Sequence, residues 1–111
     1  MLSLLQARPT LILTIHQYEH RVRDQLEQFK AVVELVDSSR LHINEVWLSG
    51  LLHKYAYYWL TPTGTLVQGW DNAPHHPQLT TYPHYSHMPT GIEPSSARSL
   101  ADALTVIEQC I

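Results

Sequence analysis

The chain has 111 residues, 44% of them hydrophobic, and a formal net charge of −3. That is enough apolar material for one folded domain with a modest core, and too little positive charge to bind nucleic acid through bulk electrostatics. The single cysteine, Cys110, excludes an internal disulfide and a multi-cysteine metal site. No apolar run reaches membrane-spanning length, and the short stretch at 11–15 lacks the flanks of a signal peptide, so a cytoplasmic location without membrane contact is expected.

The N-terminal third, 1–29, is where periodicity decides least. Residues 10–16 (TLILTIH) have strand composition, while Leu11, Ile15, Tyr18, Val22, Leu26 and Phe29 also fit a helical stripe. A strand near 10–17 is expected, followed by a turn or short helix through Asp24 and Gln25. On a helix His16 and His20 would form an i, i+4 ligand pair. On a strand they are surface histidines.

The middle reads as a meander. Residues 30–37 (KAVVELVD) are rich in β-branched side chains and end at the turn Asp37-Ser38-Ser39. Residues 41–48 (LHINEVWL) alternate, with Leu41, Ile43, Glu45 and Trp47 on one face and His42, Asn44, Val46 and Leu48 on the other. Glu45 would then be a partly buried carboxylate that needs a partner, and Arg40 or a loop histidine is a candidate. After Ser49-Gly50 comes the aromatic strand 53–60, whose Tyr55, Tyr57 and Trp59 face would pack under a helix or stack bases. The turn at 61–64 leads into a fourth strand at 65–70. Short connections favour hairpin pairing.

At the C-terminus Leu100, Ala103, Leu104, Ile107 and Ile111 form one helical stripe. Ser99 with Asp102 resembles a capping box, and Ser95 or Ser96 offers an earlier start. The expected architecture is α+β: a four- to five-stranded antiparallel meander sheet with the C-terminal helix packed on one face.

The densest chemistry lies in the run Gly69-Trp-Asp-Asn-Ala-Pro-His-His-Pro77 and in Tyr82-Pro-His-Tyr-Ser-His87. Together they hold four of the eight histidines, stiffened by Pro74, Pro77 and Pro83 into a loop. No Lys or Arg occurs between Lys54 and Arg98, so a phosphate bound there must be met by protonated imidazole, backbone N–H, or Arg40 and Lys54. On extended backbone the adjacent His75 and His76 point opposite ways, and His84 and His87 would converge if they shared one turn.

Two reactive arrangements follow. In a metal-independent ribonuclease one imidazole takes a proton, a second donates one, and Asp71 orients a ring. Tyr57 or Tyr82 adds a hydrogen bond, and Arg40 or Lys54 stabilises the transition state. In a metal-dependent hydrolase two or three histidines bind Zn²⁺ or another transition metal. No spacing here matches a standard zinc motif, so no cofactor is expected. Against both stands a purely architectural reading, in which Asp71-Asn72 is a turn bonded to the backbone and His75 satisfies a carbonyl.

From Arg40 onward the chain resembles the TumE-like family. The matching pieces are Arg40-Leu41 with Glu45, Tyr55-Ala-Tyr-Tyr-Trp59, Gly64, Trp70-Asp-Asn-Ala-Pro-His-His76 and Tyr82-Pro-His-Tyr-Ser-His87, spread over 40–111 of one domain spanning 1–111. The chain departs from that pattern at Gly69, where Arg is common, at Tyr85, where a second His is common, and at Tyr82 in place of Phe. The resemblance implies a toxin of a type II two-gene toxin–antitoxin module, partnered by a helix-turn-helix antitoxin. The histidines, and not the resemblance, make RNA the expected substrate, with Asp71, His75, His76, His84 and His87 as the chemical centre and Arg40, Glu45, Lys54, Tyr57, Trp70, Asn72 and Tyr82 around the substrate. The alternative is a non-enzymatic module whose loop docks a protein. A homodimer is compatible with either.

Overall fold

The computed structural model describes residues 1–111. Its elements run α1 (Leu2–Gln6), β1 (Ile12–Arg23), β2 (Leu26–Leu35), β3 (Arg40–Leu48), β4 (Leu51–Leu60), β5 (Leu66–Asp71), β6 (Tyr85–Met88), β7 (Gly91–Pro94) and α2 (Leu100–Cys110). All seven strands form one antiparallel sheet in the order β1-β2-β3-β4-β5-β6-β7. Every strand therefore pairs with its sequence neighbour, as short connections favour.

The turns are built from the residues that the conformations demand. Ser49 and Gly50 both take positive φ, 51° and 79°, the two-residue reversal that suits the twist of a hairpin. Between β2 and β3 the Asp37 carboxylate accepts from Ser39 N and Ser39 Oγ, while Ser39 Oγ accepts from Trp59 Nε1 at 2.9 Å. That turn is thereby fastened to β4. At α2 the box is complete: Ser99 Oγ accepts from Asp102 N at 3.2 Å and Asp102 Oδ2 accepts from Ser99 N at 2.9 Å. The helix starts there and not at Ser95 or Ser96.

The helices and most of the buried side chains lie on one face of the sheet. Ala31, Val33, Leu35, Leu41, Ile43, Tyr55, Tyr57, Trp59 and Trp70 pack against Leu100, Ala103, Leu104 and Ile107 of α2 and Leu5 of α1. Both helices thus lie on this inner face, and the outer face carries none. Arg8 Nη1 reaches Glu108 Oε1 at 3.0 Å and ties the segment after α1 to α2.

The architecture is α+β, but the sheet has seven strands where four to five were expected. The additional strands β6 and β7 have four residues each and sit among Pro83, Pro89 and Pro94, too short to display a period of two. β1 is longer than expected, running on to Arg23, because Tyr18 and Val22 alternate with Glu19, Arg21 and Arg23 through the stretch that also fits a helix. Asp24 supplies the turn, with φ of 55°.

Candidate functional site

Strand register builds the outer face. Residues directly opposite in antiparallel strands share a face, so Glu19, Lys30, Asn44, Ala56, Asp71 and Tyr85 form one row across the sheet. Gln17, Val32, His42, Tyr58, Gly69 and His87 form the next. No helix covers either row.

Between the two adjacent rows Tyr58 Oη donates to Asp71 Oδ2 at 2.9 Å. The other carboxylate oxygen, Oδ1, accepts from Ala73 N at 2.7 Å, an Asx turn that starts the loop to β6. Tyr85, opposite Asp71, is buried against the same carboxylate. Burial first, and then the Asp71 charge, pushes both phenols above the ordinary tyrosine value, so at neutral pH they are hydrogen-bond donors and not bases.

Asn72 closes the loop onto β4. Its Oδ1 accepts from Tyr55 N at 2.9 Å and its Nδ2 donates to His53 O at 3.1 Å, extending the ladder with a side chain. Beyond it His75 lies at the lip of a cavity of about 320 Å³ whose walls include Asn44, Lys54, Ala56, Asp71 and Asn72. A second hollow of about 260 Å³ adjoins it, shares Asn44 and Ala56, and adds Lys30, His42 and Tyr58.

The histidines do not all converge. His75 and His76 meet edge to face with ring centroids 6.5 Å apart, and His76 packs edge-on to Tyr85 at 4.7 Å. His87 stands edge-on to Tyr58 at 6.2 Å. His84 belongs to the other side: Nδ1 is 2.8 Å from Tyr55 Oη, and the rings stack at 5.8 Å. Arg98 N donates to that same phenolic oxygen at 3.3 Å, so the Tyr55 hydroxyl joins His84 to the segment before α2. The expected convergence of His84 with His87 fails because β6 begins at Tyr85, and three steps along extended backbone reverse the face.

Other candidates separate in the same way. Trp70 is 1% exposed and Tyr57 0%, so both are core residues under α2 and neither meets a ligand on the outer face. Glu45 is also inward and buried. Its Oε2 accepts from Tyr57 Oη at 2.5 Å and its Oε1 from Trp47 Nε1 at 3.1 Å, in place of Arg40 or a histidine. Burial and Glu45 hold the Tyr57 hydroxyl far above its usual range. Arg40 is on the outer face but four residues along β3 from Asn44, roughly 13 Å away at strand rise. It lies 4.0 Å from Glu34. Lys54 lines the cavity, and Tyr82 is exposed on the loop surface. Neither oxygen of Asp71 is bonded to an imidazole.

No three His, Cys, Asp or Glu side chains stand close enough together to hold a metal ion. His16 and His20 each bond a glutamate of β2, Glu34 at 2.8 Å and Glu27 at 2.9 Å. Five outer-face residues were not among the site residues expected from the sequence: Lys30, His42, Asn44, Tyr58 and Tyr85. The alternation through 41–48 already sets His42 and Asn44 opposite Leu41 and Ile43, and that was the available signal.

No helix is long and apolar enough to cross a membrane. No match was found among curated proteins or among solved structures. The family model described as Toxin TumE matches residues 1–111, the whole chain, and the protein belongs to that toxin family.

Proposed function

We propose that the protein is the toxin of a type II toxin–antitoxin module and acts on RNA at the outer sheet face, with a helix-turn-helix antitoxin as its partner. The observation that carries this reading is the cavity of about 320 Å³ beside Asp71, with His75 at its lip and Lys54 in its wall, on a face without a helix. His75 takes the proton from a ribose 2′-hydroxyl as that oxygen attacks the adjacent phosphorus. The bond from phosphorus to the 5′-oxygen breaks, His76 protonates the departing oxygen, and a 2′,3′-cyclic phosphate remains. The two imidazoles are neighbours in the same loop, with ring centroids 6.5 Å apart. Lys54 offsets the charge that builds on phosphorus. Asp71 acts on the loop, through Tyr58 and Ala73 N, and not on an imidazole.

Induction of the chain alone in a bacterial host should arrest growth, and the neighbouring gene should relieve the arrest. Purified protein should cleave RNA in EDTA with a bell-shaped pH profile whose limbs lie in the histidine range. Normal growth with confirmed soluble expression counts against the toxin reading. Cleavage lost on chelation and restored by Zn²⁺ or Mn²⁺ would replace imidazole chemistry with the metal-dependent reading.

One observation favours a second reading, a non-enzymatic docking module. The Asp71 and Asn72 side chains serve the loop's own architecture, with bonds to Tyr58, Ala73, Tyr55 and His53. Growth arrest without RNA cleavage would select it.

A further inference from the structure

We propose that β1 is a self-pairing edge, through which two copies join their sheets antiparallel about a two-fold axis centred on His20. The sheet has two free edges, and they differ. β7 is four residues long and ends in Pro94, which cannot donate to a further strand. β1 has twelve residues without proline or lysine; its register irregularities lie before Gln17, and its charged residues Glu19, Arg21 and Arg23 are of both signs and can pair across a self-joined edge. Its outward backbone groups have no partner: no hydrogen bond outside the regular elements involves residues 13–23. Tyr18 and Val22 stand 37% and 63% exposed on the same face of this strand, with no apolar neighbour beyond the edge.

The register follows from two independent features. Pairing with β2 is irregular up to Gln17 and regular from Gln17 to Arg23, so the regular segment is symmetric about residue 20. Antiparallel self-pairing over the whole of that segment sets Glu19 against the second copy's Arg21, Tyr18 against its Val22, and Gln17 against its Arg23. Each pair occurs twice by symmetry. Glu19 and Arg21 thus match in charge on one face, with Gln17 against Arg23 beside them, while Tyr18 and Val22 match as apolar side chains on the other, where the two His20 meet at the axis, in the one register that overlaps all seven residues. A shift of one residue in either partner sets an apolar side chain against a charged one. Within one copy Glu19 and Arg21 are neighbours at 3.6 Å with side chains 55% and 76% exposed, so neither is committed to the interior.

An axis that joins two strands in this way runs perpendicular to the sheet, so both outer faces turn to the same side. Lys30, Arg21 and Arg23 of each copy then flank the seam. The pairing stands on the edge alone and does not depend on the chemistry assigned to the histidine loop.

The test is the mass of the purified full-length chain by sedimentation or light scattering over a concentration series. A concentration-dependent dimer is expected. Glu19→Arg sets like charges opposite each other twice and should weaken the dimer about tenfold or more. Adding Arg21→Glu to that variant restores opposite charges and should restore the dimer. Far-UV circular dichroism checks that each variant is folded, which two exposed strand positions should permit. A monomer at every concentration overturns the proposal. So does a dimer that Glu19→Arg leaves unchanged, or one that the second substitution fails to rescue.

Discussion

The Tyr58 hydroxyl reaches Asp71 Oδ2 at 2.9 Å because Gly69, opposite Tyr58 on β5 and two residues before Asp71, has no side chain. A Cβ built on Gly69 would stand 2.5 Å from both Cδ1 and Cε1 of the Tyr58 ring. The ring lies across the glycine, an aromatic covering a bare stretch of backbone, and its hydroxyl fixes the carboxylate that starts the histidine loop.

Gly69→Ala should therefore destabilise the protein by about 1–3 kcal/mol, because the ring must move and the Asp71 oxygen loses its donor. In a Tyr58→Ala background the same change should cost little. A double-mutant cycle measured by chemical denaturation reads the coupling, and equal costs in both backgrounds would show that the contact is not strained by a Cβ. Gly69→Arg, which introduces the residue common in the resembling family, should have the same effect on Tyr58.

His75 and His84 should separate function from fold. His75 is exposed at the cavity lip, so His75→Ala should leave the thermal midpoint within a few degrees. RNA cleavage should fall by roughly 10²-fold or more if the imidazole transfers a proton. His84→Ala removes the hydrogen-bond partner of the Tyr55 hydroxyl and should cost about 1–2 kcal/mol, with any loss of activity following the loss of folded protein. Full cleavage by a folded His75→Ala protein would remove that residue from the mechanism.

Asn72→Ala should loosen the loop without touching the core. Two side-chain bonds to β4 backbone are lost, at Tyr55 N and His53 O, at a cost of about 1–3 kcal/mol for the groups left unpaired. Native-state hydrogen exchange should show the Tyr55 amide exchanging faster while amides of β2 and β3 keep their protection. Unchanged protection at Tyr55 would mean that Asn72 does not hold the loop down.

Alkaline pH should unfold this protein through its buried phenols. Tyr55, Tyr57, Tyr58 and Tyr85 are each raised above the ordinary value of 10.0, with burial as the first cause in all four. The folded state holds these protons more tightly than the unfolded chain does. Their contribution is thus fully present below about pH 10 and is lost as pH climbs from there towards the folded values. The thermal midpoint should stay flat to about pH 9 and then fall, and Tyr57→Phe or Tyr58→Phe should make the fall shallower. A midpoint insensitive to pH up to 12 would contradict the burial of these hydroxyls.

Local chemistry was legible in the residues themselves. The Ser99–Asp102 box, the Ser49-Gly50 reversal and the Asp37-Ser38-Ser39 turn are each written within four consecutive residues, and each forms where its own residues place it. Parity along β3 was equally readable, so the burial of Glu45 followed from its spacing to Leu41 and Ile43. What parity could not say was who meets Glu45: Tyr57 comes from a different strand, and only the pairing of β3 with β4 brings its hydroxyl there. The same holds for the site. Asp71, Asn72, His75 and His76 stand in one loop and invited attention together, whereas Tyr58, Asn44 and Lys30 join them through three successive pairings that no local pattern specifies. β6 and β7 were invisible because four residues carry almost no period, and their strand conformation is held by hydrogen bonds to chain far away in sequence. Once β6 pairs with β5, an odd separation sends His84 beneath the sheet and leaves His87 above it. The histidine cluster of the sequence is divided by the sheet itself, because backbone pairing, and not side-chain chemistry, sets which face each residue reaches.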